Sequence, residues 1–293
     1  MEKQKVSLCW LRRDLRLFDN TALYHALQSP FPVLLLCIFD KNILDKLDNK
    51  KDKRVALIHE MLSDISNAIR KYGSSILIVH DTPLNAFTKI NEAYPIKEIY
   101  INHDYEPYAI ERDNKIKGFA KQHQIGFHTF KDQVIFEKSE VMKADQTPYT
   151  IFTPYSKMWK QKYNEGQAVF YPSETLLPNL LQTEPFAFPS LKGIGFKEIN
   201  STVAKPEISE ALILNYSETR NIPGIEGTTH LGIHLRFGTI SARQTVKIAN
   251  RLNEQWLNEL IWREFFMMIL YYFPAAVRHN FRTKYDGIKW RNN

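Results

Sequence analysis

Glu259 and Trp262 lie three residues apart in Trp256-Leu257-Asn258-Glu259-Leu260-Ile261-Trp262-Arg263-Glu264-Phe265-Phe266. The stretch has no Gly or Pro and is rich in Leu, Glu and Arg, which predicts a helix. At helical spacing Trp256, Leu260 and Arg263 share one face, and Glu259, Trp262, Arg263 and Phe266 share an overlapping one. Two indoles, two carboxylates and a guanidinium thus crowd a few turns. A core helix whose charges reach outward is the plainer account. Polar groups that interrupt the aromatic face itself better suit a wall around a flat aromatic ligand or a flipped base.

Thr228-Thr229-His230-Leu231-Gly232 precedes a helical run. Adjacent hydroxyls and backbone N–H groups at a helix start form a phosphate cradle, although plain N-capping would use the same residue types. Arg12-Arg13-Asp14-Leu15-Arg16-Leu17-Phe18-Asp19-Asn20 is the third charged cluster. Lying after the first predicted strand, where ligands of open α/β sheets bind, it suits either an anion or pairing with itself as a structural network, the latter being expected, and Asp19 or Asn20 suits the cap of the next helix.

The elements that must position these groups divide the chain. Val6–Leu11 and Val33–Phe39 are apolar throughout, as strands buried on both faces of a parallel sheet are. Ile76–Val79 and Glu98–Asn102 read as two more strands, with helical patterns over Asn20–Gln28, Arg54–Tyr72 and Ala109–His123 between them. This alternation predicts a doubly wound, Rossmann-like α/β domain over residues 1–130. Neither GxGxxG nor a Walker A loop is present, which disfavours an ordinary NAD or ATP domain. Residues 131–205, punctuated by proline, read as a long connector with a helical piece near Tyr155–Tyr163. From 206 to 293 the pattern is helical, over Ser209–Arg220, Ser241–Glu254 and Trp256–Tyr272.

The 293 residues suffice for two domains, and 44% hydrophobic with 24% charged residues suits a globular protein. The formal net charge of +7 is uneven: from Thr228 onward ten Lys/Arg face four acids. A basic region carrying Trp points to a polyanion partner, though a solvated charged face would share the excess. Cys9 and Cys37 sit in apolar runs and read as buried thiols, and no Cys/His spacing suits a metal site. The N-terminus lacks a signal-like apolar run, and nothing approaches the roughly 18 apolar residues of a membrane span. A cytoplasmic protein without a membrane partner is expected.

Four of these stretches, in order, resemble the photolyase/cryptochrome family, and the resemblance runs over the whole chain. Trp10–Leu23 (WLRRDLRLFDNTAL) resembles its opening strand and loop, and Thr147–Trp159 (TPYTIFTPYSKMW) its linker. Glu226–Ser241 (EGTTHLGIHLRFGTIS) resembles its flavin phosphate loop, and WLNELIWREFF the helix between flavin and DNA. The resemblance implies an N-terminal antenna domain and an all-α FAD domain, incomplete in this chain. It also implies light-driven electron transfer from reduced FAD to a cyclobutane pyrimidine dimer, by a monomer acting on damaged DNA. Tyr216, Thr228, Thr229, Leu231, Gly232, Trp256 and Arg263 then correspond to flavin contacts. Arg220 corresponds to a DNA contact, Glu259 and Trp262 to the pair meeting the dimer, and Trp290 to the outermost tryptophan of the light-reduction chain. A second, folate- or deazaflavin-type chromophore is expected near the α/β crevice. One departure is Gly232, where the family often has Ser. A cryptochrome-like light sensor and a (6-4) photolyase are the alternatives; a plain α/β nucleotide-binding module remains if the motif matches are chance.

Overall fold

The computed structural model describes residues 4–165, 169–289 and 291. Its first half alternates β1 (Val6–Leu11), α1 (Thr21–Ala26), β2 (Val33–Asp40), α2 (Lys41–Leu44), α3 (Lys53–Ile69), β3 (Leu77–Asp81), α4 (Pro83–Ala93), β4 (Ile96–Asn102), α5 (Pro107–Gln122) and β5 (Gly126–Phe130). The five strands lie in the order β3-β2-β1-β4-β5, and every pairing is parallel. The expected doubly wound α/β domain is therefore present.

The continuous apolar runs have the predicted cause. Alternate residues of β1 and β2 (Cys9, Leu11, Leu35, Cys37) pack with α1 and α3, and the intervening ones (Leu8, Trp10, Leu34, Leu36) with Phe87 of α4 and Phe119 of α5. Each fully buried Leu or Phe stabilises the fold by roughly 1.5–3 kcal/mol. Cys9 and Cys37 are both free and buried on one face, and burial pushes the Cys37 thiol up to about 12. The sequence reading leaves out α4 and β5. α4 carries Pro83 in its first turn, where a missing N–H costs nothing. β5 is a short edge strand of mixed polarity, Gly-Phe-His-Thr-Phe.

Residues 131–205 pack on both halves. Ile135, Val141, Tyr155 and Trp159, the last two on α6 (Phe152–Glu165), join Trp256, Leu257, Ile261 and Phe265 in one core. Leu177, Leu191, Ile194 and Phe196 return to the α1/α3 face of the sheet.

The helical half comprises α7 (Glu210–Leu214), α8 (Tyr216–Thr219), α9 (Gly232–Phe237), α10 (Ala242–Leu252) and α11 (Glu254–Tyr272). The single helix expected over Ser209–Arg220 is broken at Asn215, which lies outside helical geometry at φ −89°, ψ 2°. No helix among the described residues is long and apolar enough to cross a membrane.

The Arg12–Asn20 loop locks the two halves together. Arg12 pairs with Asp113 at 2.7 Å, and Arg13 with Asp104 and Glu106. Asn20 caps α1 by accepting from Leu23 N. Beneath them Arg16, Asp19, Asp132 and Arg243 form a buried four-charge cluster: Arg16 meets Asp132 at 2.7 Å, and Arg243 meets Asp19 at 2.8 Å and Asp132 at 2.9 Å. Gly238 makes the close approach possible. Its φ is +65°, and a Cβ there would stand 2.0 Å from Arg13 O.

Candidate functional site

α11 is set by its N-cap. Asn253 Oδ1 accepts from Trp256 N at 3.1 Å, and its Nδ2 donates to Leu214 O at 3.2 Å, tying the helix start to α7. Trp256, Leu257, Ile261, Glu264, Phe265 and Met268 are buried. Glu264 is the polar member of that face. Its carboxylate accepts from Ile135 N at 2.7 Å, Phe136 N at 3.0 Å and Trp159 Nε1 at 2.5 Å. Burial raises its pKa to about 7 against the lowering effect of these donors. This residue fixes α11 against α6 and residues 135–136.

The neighbouring face of α11 opens on a cavity of about 530 Å3. It is lined by Tyr216, Thr228, Thr229, Leu231, Gly232, Trp256, Glu259 and Arg263, with His230, Leu235, Arg236, Leu260 and Met267 completing the wall. Eight residues singled out from the sequence thus converge on one space, contributed by α8, α9, α11 and the loop before α9. No side chain caps α9, so the Thr228 and Thr229 hydroxyls are not spent on its N-terminus. Arg263 donates to Gln133 O at 2.7 Å and to Leu235 O at 3.0 Å. It has no carboxylate partner among the described residues, and burial holds its pKa down at about 10.

Arg220 stands at the rim and forms an ion pair with Glu259, its guanidinium 5.4 Å from the Tyr216 ring centroid. Trp262 does not line the cavity. Its ring stacks on Phe152 at 3.6 Å and 5°, with Phe266, 55% exposed, at 5.3 Å. Glu259 and Trp262 therefore occupy adjacent faces of α11 and not one wall. Trp290 lies outside the described residues. The sequence reading missed Arg236, which lines the cavity one turn after Gly232 and pairs with Glu106 at 2.7 Å. Its signal was its place within Glu226–Ser241.

A second cavity, of about 300 Å3, lies at the carboxyl ends of β1, β2 and β4, where ligands of open α/β sheets bind. Trp10, Arg12, Phe39, Asp40, Tyr108 and Arg112 are among its lining residues. The Trp10 indole lies 4.8 Å from the Arg12 guanidinium and 4.9 Å from that of Arg112, and its buried Nε1 has no hydrogen-bond partner. No cluster of three or more His, Cys, Asp or Glu suited to a metal ion occurs among the described residues.

The sequence pattern of the DNA photolyase family matches residues 7–175. A deoxyribodipyrimidine photo-lyase of Synechococcus sp. is 28% identical over 316 residues, spanning 97% of this chain and 64% of its own length. Among solved structures, a class III photolyase from Agrobacterium tumefaciens superposes with a TM-score of 0.78 at 21% identity, over 100% of this chain and 64% of that one. A cryptochrome of Synechocystis sp. gives 0.77 at 18% identity, over 100% and 67%. At these identities the solved structures establish the fold. The chain spans about 64% of the length of the photo-lyase it matches.

Proposed function

The chain belongs to the DNA photolyase family, and from that membership we propose that it carries FAD- and DNA-facing parts of an enzyme repairing cyclobutane pyrimidine dimers in light. The observation that supports this most is Arg263, a cation on the cavity wall whose partners are two carbonyls and no carboxylate. Arg263 is half-buried, and a desolvated cation held only by carbonyls is stabilised further by an anionic ligand. FAD fits the residues present. Thr228, Thr229 and Gly232 would serve its phosphates, with Tyr216, Leu231, Trp256 and Arg263 as the remaining contacts. At Gly232 a Cβ would meet no protein atom within 4 Å, so the glycine leaves room for a ligand and relieves no clash within the fold.

Bound in its reduced form, FAD supplies the light-excited electron that splits the cyclobutane ring and is afterwards recovered. The protein's own groups do the rest. Glu259 hydrogen-bonds the pyrimidine edge, the Trp262–Phe266 surface offers a stack for a flipped base, and Trp256 and Leu231 exclude water. The crevice cavity at Trp10 suits a second chromophore, flat and carrying a hydrogen-bond acceptor for the free indole N–H. Both a folate and a deazaflavin answer that description. The protein acts as a cytoplasmic monomer on damaged DNA. A cryptochrome-like light sensor is the second reading, supported by the shared cryptochrome fold; a (6-4) photolyase is the third. The Glu259/Trp262 pair and the basic C-terminal region favour repair of cyclobutane dimers.

Titration of the 293-residue chain with FAD, followed by quenching of flavin fluorescence, is expected to saturate. Arg263→Leu should weaken binding about ten-fold or more, since a hydrogen bond to a charged group contributes about 1.5–3 kcal/mol. Gly232→Val should weaken it as well, with a melting temperature within about 2 °C of the parent, as for a surface substitution. Unchanged affinity in both variants would remove FAD from this cavity.

A further inference from the structure

We propose that the two cavities are coupled: Glu106, in the crevice, competes with an anion in the cavity beside α11 for Arg236. The inference rests on the reading in which FAD occupies the cavity beside α11. The helix α9 is a wall with a cavity on each side. Gly232 and Leu235 line the one beside α11, and Ile233 and Phe237 line the crevice. Among the described residues Arg236 alone lines both. Its Nη1 donates to Glu106 Oε1 at 2.7 Å, and Arg13 Nη2 donates to the other oxygen at 2.6 Å. Glu106 therefore keeps an arginine when Arg236 leaves.

Arg236 is the freer of the two arginines. Its side chain is 45% exposed, and Glu106 is its one ion-pair partner among the described residues. Arg13 is 18% exposed and also pairs with Asp104 at 3.1 Å. Burial first, and then the nearby charges of Arg236 and Arg13, lower the Arg263 pKa. An anion that neutralises Arg263 therefore attracts Arg236 as well. Burial pushes the Glu106 carboxyl up, but Arg13 and Arg236 outweigh it and hold it at about 2. The carboxylate thus keeps its charge, and its hold on Arg236, at any pH near neutral. The diphosphate of FAD carries more negative charge than one carboxylate and takes the guanidinium over through its forked N–H donors. A crevice ligand that engages Glu106 would release Arg236 and tighten the hold on FAD. By linkage, FAD would tighten the hold on that ligand by the same factor.

Flavin fluorescence titrations of the 293-residue chain with FAD, at one salt concentration, test the competition. Glu106→Gln is expected to tighten FAD binding roughly two- to five-fold, the range of a partly exposed ion pair. Arg236→Gln should weaken it by a similar factor, and Arg236→Lys should recover part of that loss. In the Arg236→Gln background Glu106→Gln should change nothing, since the cation it restrains is gone. A Glu106→Gln gain that persists in that background would make Glu106 a general repulsive charge and overturn the inference. Unchanged affinity in either single variant would overturn it too. A parent chain that binds no FAD would overturn the functional reading, and the coupling with it.

Discussion

Asp132→Ala is expected to lower stability by about 3–5 kcal/mol, the cost of leaving buried charges uncompensated. For a chain of this size that is on the order of 10 °C in melting temperature. Asp132 is fully buried and accepts from Arg16 at 2.7 Å, Arg243 at 2.9 Å and Thr21 N at 3.1 Å. Its loss would leave Arg243 with the Asp19 carboxylate alone, and Arg16 with only the backbone carbonyls of Asp19 and Gly238. Because these side chains join the α/β half to α10, the variant should also loosen the two halves, seen as faster proteolysis between them. The pH dependence follows from the direction of the pKa. Burial pushes the Asp132 carboxyl up, but Arg16 and Arg243 outweigh it and hold it at about 2, below the ordinary 3.8. Its stabilisation is therefore complete above about pH 4 and lost as pH falls toward 2. The gap between parent and variant, measured by denaturant melts, should close over that interval.

Glu264→Ala is expected to cost about 3 kcal/mol or more, because two backbone N–H groups and an indole N–H lose their acceptor in the core, at roughly 1–3 kcal/mol each. Its pH dependence has the opposite sign. With a pKa raised to about 7 from an ordinary 4.5, the folded state keeps a proton that the unfolded state has released. Stability from this group falls as pH climbs from 4.5 to 7. The deficit of Glu264→Ala should accordingly be largest near pH 5 and smaller at pH 8. Equal deficits at both would show that the carboxyl does not titrate in this interval.

Much of this architecture is legible in the chain because its causes are local. β1 and β2 carry continuous apolar runs, as burial on both faces requires, and the helical half keeps a helical period. The cavity was legible for the same reason: Thr228–Gly232 and Trp256–Arg263 are short stretches of chemically distinctive residues, and the fold brings them together. What escaped depends on partners far apart in sequence. Glu264 reads as one charge among several until Ile135, Phe136 and Trp159 are seen to donate to it. Arg220 reads as a free cation until it meets Glu259, 39 residues on. Trp262 shares a helical face with Glu259 in projection, but Phe152 from α6 claims its ring, and no periodicity in α11 announces that contact.

If α11 presents a pyrimidine-dimer site, the ratio of affinities for a duplex with one cyclobutane thymine dimer and for the undamaged duplex reads it out most directly. With FAD present, the parent chain should favour the damaged duplex. Trp262→Ala should reduce that ratio roughly five- to 150-fold, the ~1–3 kcal/mol of a lost base–aromatic stack, with flavin affinity intact. Equal affinity of the parent for both duplexes, or full discrimination retained by Trp262→Ala, would contradict it.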